Sequence, residues 1–329
     1  MNTWKRVSLM AVASVFLLFS VAAFAQTAAD SYPGKVVRIV VPFAAGGSTD
    51  VVARILAEKL GSELKQSFIV ENRAGSGGNI GADVVAKSQP DGYTLLMGTT
   101  GVLSINSFLY KNMTYDSSKD FEPVIYTTLI TNVLVVSPSV PAKNVAELVS
   151  LAKSSPGKLS FASSGIGTST HLSGELFKSM AAIDLLHVPY KGSSQALIDV
   201  IGGRVTMLLD NAPSALPFIK EGKLRALAVT NSRRLSNLPD VPTIDEAGIK
   251  GYVSLSWSGI MAPTGTPRAI VNKLNSAIDR ILKMDDVKQK LAGLGAEIVG
   301  GQPEVFARHI SAEREKWGKL IKTANIVVD

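Results

Sequence analysis

The side chains of this sequence best suited to chemistry are hydroxyls and carboxylates set in turns of small residues. Ser48, Thr49 and Asp50 follow Phe43, Ala44, Ala45, Gly46 and Gly47. Ser163, Ser164, Thr168, Ser169, Thr170 and His171 crowd a second turn, Lys191 lies in a third beside Gly192 and Ser193, and Asp210 ends the apolar run 205–209. Two chemistries suit such groups. One is nucleophilic: Phe161-Ala162-Ser163-Ser164-Gly165 approaches a nucleophile elbow, but Phe161 stands where that motif needs its first glycine. His187 falls in an expected strand and His309 in an outer helix, so neither obviously serves a serine. The other chemistry is anion binding, because a helix start has unpaired N–H groups and a partial positive charge. Plainer roles stand beside these. The Ser/Thr cluster can simply cap a helix, Lys191 can be solvated, and His187 can be a satisfied core histidine. Asp50 and Asp210 suit orienting a water or an amine, or capping helices.

Those turns need strands before them and helices after them. Val36, Val37, Ile39, Val40 and Val41 form a β-branched run suited to a strand covered on both faces. After Pro42 the side chains shrink, which lets another molecule approach the backbone. Ser48 or Thr49 is expected to cap a helix carrying Val51, Val52, Ile55, Leu56 and Leu60, stopped by Gly61. Strands at 67–73 and 93–101, with helical spacing between them, complete a βαβαβ order and hence a parallel sheet in an α/β domain. The extended run 124–136 exceeds an ordinary strand and reads as a crossing between domains. A second alternation follows, opening with Asn144 and Glu147 as a capping pair. A second extended run, 252–257, returns the chain, and 269–282 and 303–322 read as amphipathic packing helices.

Composition narrows the function further. Lys5 and Arg6 precede an uncharged apolar run nearly long enough for a membrane anchor, but the short basic start and the ending Ala23-Phe24-Ala25 favour a secretory leader cleaved after Ala25. Cleavage leaves 304 residues (329 − 25) and, by removing two cations, takes the formal charge from +7 to +5. The absence of cysteine excludes disulfides, thiolate metal sites and cysteine nucleophiles. An exported chain without disulfides suits a bacterial periplasm. Three histidines argue against zinc. The cations are scattered and aromatics make up 6% of the chain, which argues against nucleic acid. The glycines from Gly75 to Gly81 fail as a dinucleotide fingerprint because Ile80 takes the sixth position. No cofactor is expected.

Several long motifs then fall in one order. They are Tyr32-Pro33, Val40-Val41-Pro42-Phe43 running on to Asp50, Val70-Glu71-Asn72-Arg73 running on to Gly81, Pro90-Asp91-Gly92-Tyr93-Thr94-Leu95, His187-Val188-Pro189-Tyr190-Lys191-Gly192 and Leu238-Pro239-Asp240-Val241-Pro242-Thr243. In these the chain resembles the Bug family, the extracytoplasmic solute receptors of tripartite tricarboxylate transporters. The resemblance implies a type II-like periplasmic-binding-protein fold, two α/β lobes joined by two crossing strands. Lobe one is then 26–126 with 253–329, and lobe two is 127–252. It also implies a non-catalytic monomer that closes over a small organic carboxylate and delivers it to inner-membrane transporter subunits. Dicarboxylates, tricarboxylates, amino acids, nicotinic-type acids and aromatic carboxylates all suit a cleft of amides and hydroxyls. Carried over residue by residue, the ligand site is Phe43, Ala44, Ala45, Gly46, Gly47, Ser48, Thr49 and Asp50 in lobe one, and Ser163, Ser164, Thr168, Ser169, His171, Lys191 and Asp210 in lobe two. Two alternatives remain open: an exported hydrolase using Ser163 or Ser164, and a ligand-sensing subunit of a signalling system.

Overall fold

A computed structural model describes residues 31–323. The leader expected at 1–25 lies outside the described residues. In chain order the elements are β1 (Val37–Val41), α1 (Ser48–Leu64), β2 (Phe68–Asn72), α2 (Asn79–Ala86), β3 (Thr94–Thr99), a π-helical turn (Gly101–Ile105) running into α3 (Asn106–Leu109), and β4 (Phe121–Val136). There follow α4 (Val145–Ser154), β5 (Ser160–Ser163), α5 (Ser169–Ala181), β6 (Leu186–Pro189), α6 (Ser193–Ile201), β7 (Met207–Asn211), α7 (Ala212–Lys220) and β8 (Arg225–Val229). The chain ends with β9 (Leu255–Pro263), α8 (Arg268–Leu282), α9 (Asp285–Gly293), β10 (Ala296–Ile298) and α10 (Pro303–Thr323).

The strands run β2-β1-β3-β9-β4-β7-β5-β6, with β8 and β10 also paired to β4. β4 is the shared member. Up to Thr131 it pairs antiparallel with β9 and β10, and from Asn132 to its end it pairs with β7 and β8. The sheet therefore has two parts, here called lobes, joined through β4 and through the segment entering β9. Each lobe is a sheet with helices on both faces, and period-two alternation divides its side chains between them. Ile39, Val41, Leu95 and Met97 point to the α1 and α8 side, where Val52, Leu56, Leu274 and Ile278 meet them. Val40 and Leu96 point the other way, to Val85, Trp257 and Phe306. The second lobe repeats the pattern, with Leu134, Phe161 and Leu209 on one face and Val133, Ala162 and Leu208 on the other. That alternation explains the unbroken apolar character of these strands.

Two local expectations are corrected. Gly61 does not stop α1, which runs on to Leu64 and ends at Lys65 in the left-handed region at φ 52°. Leu60 is buried and Leu64 packs on the same core, so tertiary packing outweighs the cost of a mid-helix glycine, about 1 kcal/mol. Neither Ser48 nor Thr49 caps α1: the cap position is Gly47, with no side-chain hydrogen bond. The capping pair at α4 forms as expected, Glu147 N–H donating to Asn144 Oδ1 at 2.8 Å and Lys143 N–H donating to Glu147 Oε2 at 2.7 Å.

Candidate functional site

β1 lies between β2 and β3, and β5 between β7 and β6. Each is a switch point of its lobe, where α/β proteins open a crevice beyond the strand's carboxyl end. The turns leaving these two strands border one narrow cavity between the lobes. Lobe one lines it with Phe43, Gly47, Ser48 and Thr49, and with Thr99 and Gly101 at the end of β3. Lobe two contributes Ser164, Thr168, Ser169, Ser193 and Asn211. The joining strands add Ile130 from β4 and Ser256, Trp257 and Ser258 from β9.

None of these side chains is charged. Positive potential comes instead from helix starts: α1 begins at Ser48, α5 at Ser169 and α6 at Ser193, so three N-termini open on the cavity from both lobes. The first intrahelical bond of α1 is donated by Val51, leaving the N–H groups of Ser48, Thr49 and Asp50 without an intrahelical acceptor. Thr99 Oγ1 is buried and has no hydrogen-bond partner among the described residues. Such a wall suits a small anion with an apolar spine, the spine meeting Phe43 and Ile130.

Asp50 stands behind this wall. Its Oδ2 accepts from Gly46 N–H and Arg54 Nε, both at 2.9 Å, and its Oδ1 accepts from Asn72 Nδ2 at 2.9 Å. Asn72 Nδ2 also donates to Phe43 C=O at 3.0 Å, so both ends of the turn are pinned. Burial acts to raise the Asp50 pKa, but the bonds from Arg54, Gly46 and Asn72 outweigh it and hold the carboxylate below its usual range. Asp50 positions the turn. Ala44, Ala45 and Gly46 form the outer part of that turn and do not line the cavity.

In lobe two, Thr168 caps α5 and Thr170 Oγ1 holds Ser164 by its N–H and its hydroxyl, at 2.9 and 2.8 Å. Ser163 faces away from the cavity, its Oγ 2.7 Å from His187 Nε2. The expectation that His187 serves no serine is thereby corrected. β5 and β6 pair in parallel with Phe161 opposite His187, a register that spacing along the chain does not reveal. The pair is not a poised nucleophile and base. Burial and the charge of Lys178 push His187 down to about 4, and Ser163 is fully buried. His171 stacks on His187 with ring centroids 4.1 Å apart and accepts from Gly167 N–H at Nδ1, 3.2 Å, so it braces the turn rather than facing the cavity. Burial first, then His187 and Lys178, push it down to about 3. Asp210 is also behind the wall: it accepts from Ser193 Oγ at 2.5 Å and Ser214 Oγ at 2.6 Å. Burial without a cation raises it to about 6. The Lys191 side chain is exposed at the rim.

The lobes touch on both flanks of the cavity. On one, Ala44 N–H donates to Lys191 C=O at 3.2 Å and Ser48 Oγ donates to Asn211 Oδ1 at 2.8 Å. On the other, Tyr110 OH donates to Ile166 C=O at 2.9 Å, and Leu172 of α5 joins Ile105, Leu109, Trp317 and Ile321 in one apolar cluster. Thr99, Gly101, Ile130, Ser193, Asn211, Ser256, Trp257 and Ser258 were absent from the expected site. Thr99, Gly101, Ser193, Ser256 and Ser258 carry a legible signal in their small or hydroxyl side chains and Asn211 in its place at a strand end, whereas Ile130 and Trp257 carry none.

Comparison with known proteins agrees with this geometry. Residues 52–326 match the tripartite tricarboxylate transporter family receptor. The chain is 37% identical over 315 residues to protein BugT of Bordetella pertussis, covering 95% of this chain and 96% of that one. Among solved structures, an R. palustris protein with adipate superposes with a TM-score of 0.88 at 43% identity, covering 90% of this chain and 99% of the other. MatC from Rhodopseudomonas palustris with bound malate gives 0.84 at 35% identity, covering 88% and 100%. Among the described residues no helix is long and apolar enough to cross a membrane. The chain belongs to the tripartite tricarboxylate transporter receptor family, whose members are solute-binding proteins and not enzymes.

Proposed function

We propose that this chain is an exported periplasmic receptor that captures a small dicarboxylate between its lobes and presents it to inner-membrane transporter subunits. The observation that carries this reading is an uncharged, hydroxyl-rich cavity fed by helix N-termini from both lobes. Two carboxylates on a short apolar spine match two such walls with Phe43 and Ile130 between them. The adipate and malate held by two relatives are both dicarboxylates, adipate on an apolar spine and malate on one that carries a hydroxyl. Micromolar affinity requires about −8 kcal/mol. Hydrogen bonds to a charged group net about 1.5–3 kcal/mol each, so four or five donors suffice without an arginine. The lobes would close as units about the point in β4 where its pairing passes from β9 and β10 to β7 and β8, and about the segment entering β9, with the helix-start N–H groups of Ser48, Thr49 and Ser169 and the hydroxyls of Thr99 and Ser164 on the ligand. Export follows the leader at 1–25, and the working form is a monomer.

A thermal-shift screen of the cleaved protein against adipate, malate, mono- and tricarboxylates and the matching amides tests the reading. A ligand at 100 times its Kd adds about 2.7 kcal/mol, a clear rise in Tm. A dicarboxylate hit that vanishes on amidation supports the reading. Silence across the acids, or equal response to the amides, refutes it.

A further inference from the structure

We propose that Asn132 is a positioning residue for ligand capture, holding the Asn211 amide so that its oxygen meets Ser48 of the opposite lobe. The proposal rests on the capture reading above. Asn132 sits on β4 where pairing passes from one lobe to the other. Its Nδ2 donates to Ser173 Oγ at 3.0 Å, which turns its Oδ1 toward Asn211. That oxygen accepts from Asn211 Nδ2. With its nitrogen turned to Asn132, the Asn211 amide presents its oxygen to lobe one, where it accepts from Ser48 Oγ at 2.8 Å. The far end is anchored as firmly. Ser173 Oγ pairs with Ser254 Oγ at 2.7 Å, and Tyr252 OH donates to Ser173 C=O at 2.8 Å.

The chain of bonds also joins the two crossings to each other. Asn132 N–H donates to Thr230 Oγ1 at 2.9 Å, Thr230 N–H donates to Asn132 C=O at 3.0 Å, and Ser254 N–H donates to Thr230 C=O at 3.0 Å. Asn132, Ser173 and Thr230 are fully buried, and Ser48 and Asn211 nearly so. In such surroundings each polar group must find its partner, so the direction of one amide dictates the next. A run of bonds thus passes from the strands where the lobes join to the first residue of α1 at the cavity wall. Asn132 touches no lining space itself. It acts through Asn211, which does.

A double-mutant cycle on Ser48→Ala and Asn132→Ala tests this, with adipate and malate as probes and calorimetry reading Kd. Ser173→Ala cuts the same run one bond further along and leaves less space behind. Each single variant is expected to weaken binding about three- to tenfold, the loss of one hydrogen bond. The double variant should be no weaker than the weaker-binding single, because both cuts sever one chain. Effects that multiply overturn the proposal, as does an Asn132→Ala protein that melts cooperatively and binds like wild type. A ligand-free measurement separates this from the capture reading. The sequence has no cysteine, so spin labels on Gln89→Cys and Lys158→Cys, exposed sites on opposite lobes, report lobe spacing directly. If neither acid binds, capture of these acids fails while the labels still decide. Asn132→Ala and Ser48→Ala must then move the same share of molecules to the longer spacing, and unchanged spacing overturns the proposal. If Asn132→Ala does not fold, Ser173→Ala is held to the same outcomes.

Discussion

Gly101→Ala should block closure of the cleft without harming either lobe. Gly101 opens the π-helical turn after β3, and a Cβ added there would lie 2.8 Å from Gly167 C=O and 3.4 Å from Thr168 Cα, both in the other lobe. A carbonyl oxygen that close cannot swing aside as a side-chain tip does, so the lobes must back away. Backing away strains the adjacent Tyr110–Ile166 and Ser169–Ser256 hydrogen bonds across the same flank. Two neutral bonds at about 0.5–1.5 kcal/mol each give 1–3 kcal/mol, or about a five- to hundredfold rise in Kd. Within its own lobe the added methyl is harmless, because Gly101 does not have the positive φ that strains L-residues and alanine is the better helix former. Calorimetry with the best dicarboxylate gives Kd, and calorimetric melting without ligand gives Tm. The expected result is weakened binding with an unchanged or raised ligand-free Tm. Wild-type affinity would refute the steric argument. A fall of several degrees in ligand-free Tm would refute the claim that the clash is met only on closure.

Thr99→Val should lower affinity about ten- to hundredfold and leave Tm unchanged or higher, since it removes a buried hydroxyl that has no partner among the described residues, from a residue that lines the cavity; equal binding by calorimetry would remove Thr99 from the site. Asp210 holds its proton to about pH 6 when folded but to about 4 when unfolded, so the native state binds more protons between those values and stability falls as pH rises through them. Asp210→Asn should flatten that decline, at most about 1.4 kcal/mol per pH unit, in denaturant melts at pH 4, 5 and 6. His171 works in the opposite sense. Its folded pKa of about 3 lies below the ordinary 6.5, so the unfolded state binds the extra proton and stability is lost as pH falls below about 6.5. His171→Gln should shallow the acid limb of the same melts, and an unaltered slope would show that the imidazole is not buried neutral.

What could be read along the chain was what neighbours in sequence decide. The β-branched runs gave strands, the Asn144–Glu147 spacing gave a cap, and the small-residue turns after β1 and β5 marked where a ligand could approach a backbone. The ordered motifs sufficed for the family. Errors began where distant packing overrides local preference, as at Gly61, which the core around Leu60 carries through as helix. The site itself was legible in part. Ser48, Thr49, Ser164, Thr168 and Ser169 line the cavity, while Asp50, Ser163, His171 and Asp210 stand behind it. Their types suggested ligand contact, but a carboxylate or imidazole in a turn serves equally well to hold that turn, and only its partners distinguish the two.

The sequence alone determined the order of strands and helices, the small turns at the strand ends and the kinship with solute receptors, because each depends on side chains within a few positions of one another. The tertiary structure decided which hydroxyls share a cavity. Thr99, Asn211 and Ser258 meet because β3 pairs with β9, β9 with β4 and β4 with β7. Those pairings join residues far apart in the chain, and their register comes from burying both faces of one sheet at once.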